Sequence, residues 1–117
     1  MPTTRPGRLS GLVFGSEDFC ADAGVTRTPS HAELLYARSA LVMHARAFRL
    51  SPIDMVCVDY KDLARCRHEA DDGYTLGFVG KQAIHPDQLA PILAAFSLKP
   101  EEIAAAQRIV DAYDANV

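Results

Sequence analysis

The stretch GLVFGSEDF, residues 11–19, decides how the chain is read. Leu12, Val13 and Phe14 form an unbroken apolar run closed by Gly15, and Glu17 and Asp18 follow at once. An apolar run without polar alternation predicts a short strand buried on both faces, as in parallel sheets. Acids just past such a strand stand where parallel α/β folds gather functional groups, at the carboxyl ends of strands.

Outward from this stretch, strand-like and helix-like segments alternate. Residues 19–29 contain Gly24, Thr26, Thr28 and Pro29 and read as a loop. Residues 30–50 read as a helix, with Ser30 and Glu33 as a capping box. Leu34, Leu41, Ala45 and Phe48 would form its buried stripe, and Arg38, Arg46 and Arg49 would face solvent. Ser51-Pro52 ends it. Met55, Val56, Cys57 and Val58 predict a second buried strand, with Asp59 at its exit. Residues 62–75 predict a charge-rich helix stopped by Gly77. GFVGKQAI, residues 77–84, is a third strand-like run.

His85-Pro86-Asp87 then opens a helix, with proline in its first turn and an acid at the positive end of its dipole. Leu89, Ile92, Leu93 and Phe96 supply its apolar face. A last helix starts near Pro100, with Glu101 and Glu102 in its first turn and Ile103, Val110 and Tyr113 along one side. The alternation predicts an α/β fold of βαβ units around a parallel sheet. An irregular segment over residues 1–10 precedes one domain over residues 11–117, with no interior linker.

The 117 residues suffice for one modest domain, and 49% hydrophobic with 23% charged residues suits a globular chain. A net charge of −3 argues against a nucleic-acid binder, which needs a basic stripe to displace counterions. No apolar run approaches the ~20 residues that span a bilayer. The opening MPTTRPGRLS lacks the apolar core of a secretory signal. Cys20, Cys57 and Cys66 are odd in number and share no metal-ligand spacing, so reduced, buried thiols are expected.

Three groups stand at predicted strand ends: Glu17 with Asp18, Asp59 with Lys61 and Asp62, and residues 81–85. A carboxylate beyond a strand suits a hard cation, because Mg²⁺ takes oxygen ligands and needs only one or two from the protein. A local hydrogen bond or helix cap is the alternative for Glu17 and Asp18, and both readings stay open on the residues alone. Asp59, Lys61 and Asp62 read as an exposed ion-pair cluster worth about 0–1 kcal/mol. His85 could face a ligand or cap the helix it precedes. His31, His44 and His68 have no partners at metal-ligand spacing, and Asp71-Asp72 reads as solvated surface. No dinucleotide fingerprint, phosphate-binding loop or nucleophile elbow is present.

Taken together, LVFGSEDF, LLYARSALVMHARAF, IDMVCVDYKD and GFVGKQAIHPDQL resemble the citrate lyase β-subunit-like branch of the HpcH/HpaI aldolase family. The likeness runs from about Gly11 to the end of the chain. It implies a partial TIM (β/α)8 barrel of about three βα units plus a C-terminal helix. It also implies a Mg²⁺-dependent carbon–carbon lyase acting on a 3-hydroxy-acyl-CoA such as citramalyl-CoA or malyl-CoA. On the family's pattern Asp18 matches the metal-coordinating aspartate and also contacts substrate, Glu17 matches its substrate-touching neighbour, and Ile84 and His85 match a pair lining the acyl-CoA site. Relatives work in the cytoplasm and in mitochondria.

A full barrel has eight strands and typically about 250 residues, whereas the three strands expected here match its later part. The resemblance places the second metal ligand, a glutamate, and a substrate-carboxylate arginine on earlier strands. It places an acid that serves a neighbouring subunit in a further C-terminal segment, which implies a homo-oligomer. The ten residues before Gly11 do not read as a barrel strand, so an altered or misassigned start is expected. Two functions follow: part of an acyl-CoA lyase, or a non-catalytic remnant or interaction module with the half-barrel's fold.

Overall fold

A computed structural model describes residues 7–116. The expectation for residues 1–6 lies outside the described residues, and residues 7–10 form neither helix nor strand. Three strands, β1 (Gly11–Val13), β2 (Ser51–Asp54) and β3 (Gly80–Lys81), form one sheet in the order β1-β2-β3. Both pairings are parallel, as the alternation predicts, with Val13 opposite Ile53 and Asp54 opposite Lys81. The helices are α1 (Ser16–Ala23), α2 (Leu35–Ala47), α3 (Leu63–Leu76), α4 (Leu89–Phe96) and α5 (Pro100–Ala115).

One sheet face packs on helices. Pro52, Asp54 and Lys81 are buried there, where Asp54 meets Arg38 of α2 and Lys81 meets Glu69 of α3. The opposite face carries Val13, Ile53 and Gly80 and stays partly open, with Val13 54% exposed. Burial of β1 on both faces is therefore corrected: Phe14 is buried, Val13 is not. Phe14, Cys20, Leu34 and Met55 form one core cluster, and Cys57, Cys66 and Ile92 a second. All three cysteines are free and buried, as expected.

The second strand lies four residues before its expected place. Residues 55–58 run past the sheet, and β2 includes Pro52 and Asp54 instead. Proline is tolerated in this central strand because β3 joins it only from Val79, whose N–H donates to the Pro52 carbonyl at 2.9 Å. Asp54 is tolerated because Arg38 neutralises it. Nη2 and Nε of Arg38 lie 2.6 and 3.1 Å from the two carboxylate oxygens. Arg38, expected in solvent, is 1% exposed. Such a forked pair is strongly directional, and removing one partner of a buried pair costs about 3–5 kcal/mol.

Residues 16–23, most of which read as loop, form α1. Its C-cap Gly24 adopts φ 68°, a left-handed conformation that glycine enters without strain. The capping box moves as well. Glu33 accepts from the Thr28 N–H at 2.5 Å and the Thr28 hydroxyl at 2.6 Å, and a 3-10 turn over Ala32–Leu34 leads into α2. Helix α3 matches its expected span, with Asp62 capping the Arg65 N–H at 3.0 Å and Gly77 ending it at φ 101°. Strand β3 shrinks to two residues. Asp72, expected in solvent, reaches Arg38 Nη1 at 3.0 Å while staying partly exposed. Of the apolar faces expected on α4 and α5, Ile92 is buried, whereas Leu89, Leu93, Ile103, Val110 and Tyr113 are exposed.

Candidate functional site

Because the sheet is parallel, the segments leaving all three strands emerge on one rim. Glu17 and Asp18 lie there in the first turn of α1, directly after β1. Both carboxylates face the positive end of the helix dipole, which favours their charge. They then part ways. Glu17 pairs with Arg27, whose Nη1 also donates to the Ser16 hydroxyl at 3.1 Å and whose Nη2 donates to the Val56 carbonyl at 2.9 Å. Asp18 has no hydrogen bond or ion pair among the described residues. A Cβ built on Gly15 would lie 3.9 Å from Asp18 Oδ2, so this carboxylate leans back over the exit of β1.

The exit of β3 is tied to the same rim twice. Gln82 Nε2 donates to the Phe14 carbonyl at 3.2 Å, joining the ends of β1 and β3 across β2. Gln88, fully buried, accepts from the Ile84 N–H at 2.8 Å and donates to the Cys57 carbonyl at 2.9 Å. It thus links the segments leaving β2 and β3. Ile84 is exposed. His85 caps the turn that precedes α4, with Nδ1 accepting from the Asp87 N–H at 3.1 Å. Its ring stacks on Tyr60, with centroids 5.3 Å apart and planes 17° apart. The structure therefore sets Glu17 with Asp18, and Ile84 with His85, on one rim, but no hydrogen bond or ion pair joins the two pairs among the described residues.

The expected cluster of Asp59, Lys61 and Asp62 does not form ion pairs among the described residues. Asp62 is used as a helix cap, and Lys61 sits 5.8 Å from the Tyr60 ring centre. Beneath the rim lies a buried charged layer that sequence reasoning missed. Glu69 gathers Lys81 at 3.3 Å, Arg65 at 3.2 Å and His31 at 3.5 Å, and Lys81 also donates to the Met55 carbonyl at 2.8 Å. Burial holds the His31 imidazole below its ordinary value of 6.5. Burial, reinforced by the Glu69 charge, pushes the Cys57 thiol up to about 11. Both groups are therefore neutral near pH 7.

Arg27, Gln82 and Gln88 were equally missed. Each acts on backbone carbonyls or on residues ten or more positions away, except for the local Gln88–Ile84 bond, and such partners leave no periodic signal. As a metal centre the rim is incomplete: no group of three His, Cys, Asp or Glu side chains converges among the described residues. Asp18 fits as one oxygen donor of a Mg²⁺ ion, which accepts few protein ligands, but it does not make a site alone.

The family model for HpcH/HpaI aldolase/citrate lyase matches residues 4–86. The chain is similar to the mitochondrial citramalyl-CoA lyase of Homo sapiens, 41% identical over 105 residues, covering 90% of this chain and 31% of the relative. It is similar in structure to RipC from Yersinia pestis, with TM-score 0.78, 33% identity, and 85% of this chain and 45% of that one covered. CitE from Mycobacterium tuberculosis, solved with magnesium, acetoacetate and coenzyme A, superposes with TM-score 0.72 at 29% identity, covering 90% of this chain and 41% of that one. The chain spans about a third of the length of the curated relatives it matches. A match over most of the chain, together with a shared parallel core, establishes that this chain belongs to the HpcH/HpaI aldolase/citrate lyase family.

Proposed function

We propose that the chain forms the later part of a TIM-barrel, Mg²⁺-dependent carbon–carbon lyase acting on a 3-hydroxy-acyl-CoA such as citramalyl-CoA or malyl-CoA. The observation that carries this reading is the unpaired carboxylate of Asp18, leaning over a strand exit on the rim where parallel folds bind ligands. Asp18 is the metal ligand this chain supplies and also meets the substrate. Glu17, Ile84 and His85 are substrate contacts. Glu17 is held by Arg27, and the His85 ring is held by the turn it caps. A bound divalent cation supplies Lewis-acid polarisation of a substrate oxygen. The remaining oxygen donors come from residues outside this chain, and the completed protein is a homo-oligomer.

The relatives' names support the substrate class: one is a citramalyl-CoA lyase, others are (3S)-malyl-CoA thioesterases, and CitE was solved with coenzyme A. Of the two settings proposed, mitochondrial and cytoplasmic, the human relative's name supports the first. No helix among the described residues is long and apolar enough to cross a membrane.

A second reading, a non-catalytic remnant or interaction module with the half-barrel's fold, is favoured by the lack of three converging ligands among the described residues. One assay separates the two. The 117-residue chain and a longer form carrying further βα units are offered a panel of acyl-CoA thioesters with and without Mg²⁺. The lyase reading expects Mg²⁺-dependent cleavage by the longer form alone, and its loss in Asp18→Asn with unchanged folding. Full turnover by Asp18→Asn would remove Asp18 from the site. No turnover by either form leaves the remnant reading.

A further inference from the structure

A cavity of about 190 Å³ lies between the segment that leads into α2 and the first part of α3. His31 stands at its floor, 7% exposed, and neither of its ring nitrogens has a hydrogen-bond partner among the described residues. Nε2 lies 3.5 Å from Glu69 without bonding it. The His31 backbone takes φ 58°, a left-handed conformation that residues other than glycine rarely adopt. A buried polar group without a partner is destabilising, so this ring marks a place where something from outside the chain completes the bonding.

Arg65 and His68 stand at the mouth, one turn apart on one face of α3, with His68 exposed and Arg65 half-buried. Arg65 Nε is taken by Glu69, but its two Nη atoms and the His68 ring have no partner among the described residues. The unused capacity is mostly donors, which suits an anion. The fixed charges decide which anion. Arg38, Arg65 and Lys81 pair with Asp54, Asp72 and Glu69, so three cations offset three anions. The His31 ring is faced by Glu69 from α3, by Arg38 from α2, and by Arg27 and Glu33 from the segment between α1 and α2. Arg27 is matched by Glu17, and Glu33 is held by the Thr28 N–H and hydroxyl. An anion entering these balanced surroundings needs one further positive charge, and a histidine can gain one near neutral pH. One proton offsets one negative charge, so a monoanion fits and a dianion does not. The planar fork of Arg65 matches a carboxylate.

We propose that this cavity binds a small monocarboxylate, with the Arg65 guanidinium and the His68 ring at its mouth and His31 taking up a proton at its floor as the carboxylate enters. Burial keeps the His31 imidazole neutral when no anion is near, so binding carries a proton in and tightens as pH falls. None of Glu17, Asp18, Ile84 and His85 lines the cavity, so this site stands or fails apart from the lyase reading.

The test titrates the full ¹⁵N-labelled chain with sodium acetate at pH 6 and pH 8, with sodium chloride holding the ionic strength constant. Acetate should shift the amides of His31, Arg65 and His68 to saturation, with affinity about fivefold or more tighter at pH 6. Long-range ¹H–¹⁵N spectra of the histidine rings should show His31 titrating at a higher pH in acetate than in chloride. Sulfate, a dianion, should bind more weakly than acetate. Arg65→Gln should weaken acetate binding about tenfold or more. His31→Gln should bind acetate equally at the two pH values, which separates His31 from the titration of His68. Absence of saturable shifts would mean a cavity that holds water alone and would overturn the site. Equal affinity at pH 6 and pH 8 in the parent chain, tighter binding of sulfate, or an unmoved affinity in Arg65→Gln would overturn it as well.

Discussion

Gly73→Ala should destabilise the chain, against the ordinary rule for helix interiors. Gly73 lies inside α3, where alanine is favoured over glycine by about 1 kcal/mol. A Cβ at this position would stand 2.5 Å from Asp54 Oδ2. The carboxylate cannot swing aside, because Arg38 holds it at 2.6 and 3.1 Å and the Met55 N–H holds Oδ1 at 2.8 Å. Overpacking of this kind costs about 1–3 kcal/mol, and rupture of the buried pair about 3–5. Set against the helical gain, the net loss is roughly 0–2 kcal/mol if the pair only shifts and roughly 2–4 if it breaks. Urea unfolding of a small domain has a slope of about 1–3 kcal/mol per molar, so the midpoint should fall by roughly 1 M. The sign should reverse once the obstacle is removed. In an Arg38→Met/Asp54→Ala background, Gly73→Ala should raise the midpoint by the helical preference alone. A rise in the parent chain, or an equal fall in both backgrounds, would refute the reasoning.

Three further outcomes are expected. His31 is held below 6.5 by burial, so the unfolded chain takes up a proton that the folded chain resists. Stability should therefore fall as pH drops through 6.5, and His31→Gln should flatten that limb of a urea-midpoint profile. Gln88→Ala deprives the Ile84 N–H and the Cys57 carbonyl of their partner and should cost about 1–3 kcal/mol by thermal or urea unfolding. With its thiol pushed up to about 11, Cys57 should resist iodoacetamide at pH 8 in the folded chain and react only when urea unfolds it, as mass mapping of the labelled peptide would show.

Local chemistry made much of this chain legible. The Gly77 stop ends α3 within a residue or two of the expected span, because a left-handed glycine acts within one helical turn. The parallel order of the strands followed from the alternation of elements, and the family from four short motifs. Other elements resisted. Met55 to Val58 is the most strand-like run in its region, yet the sheet takes Ser51–Asp54, whose proline and aspartate both argue against a central strand. Residues 19–29 read as loop because Gly24, Thr26, Thr28 and Pro29 are turn residues, yet α1 runs to Ala23, with Phe19 and Cys20 packed in the cluster of Leu34 and Met55.

By itself the sequence determined that an α/β chain of this family carries acids where β1 ends and a His-Pro turn where β3 ends, since these depend on neighbours along the chain. Only the tertiary structure decided which charges are buried. Arg38 looks like any solvated arginine until Asp54, sixteen residues away, faces it from β2. Glu17 and Asp18 look equivalent until Arg27 engages one and leaves the other open. Gln88 looks like any polar helix residue until it ties the exits of β2 and β3 together. A charge's solvation energy depends on what surrounds it in space, and that environment exists only once distant segments have packed.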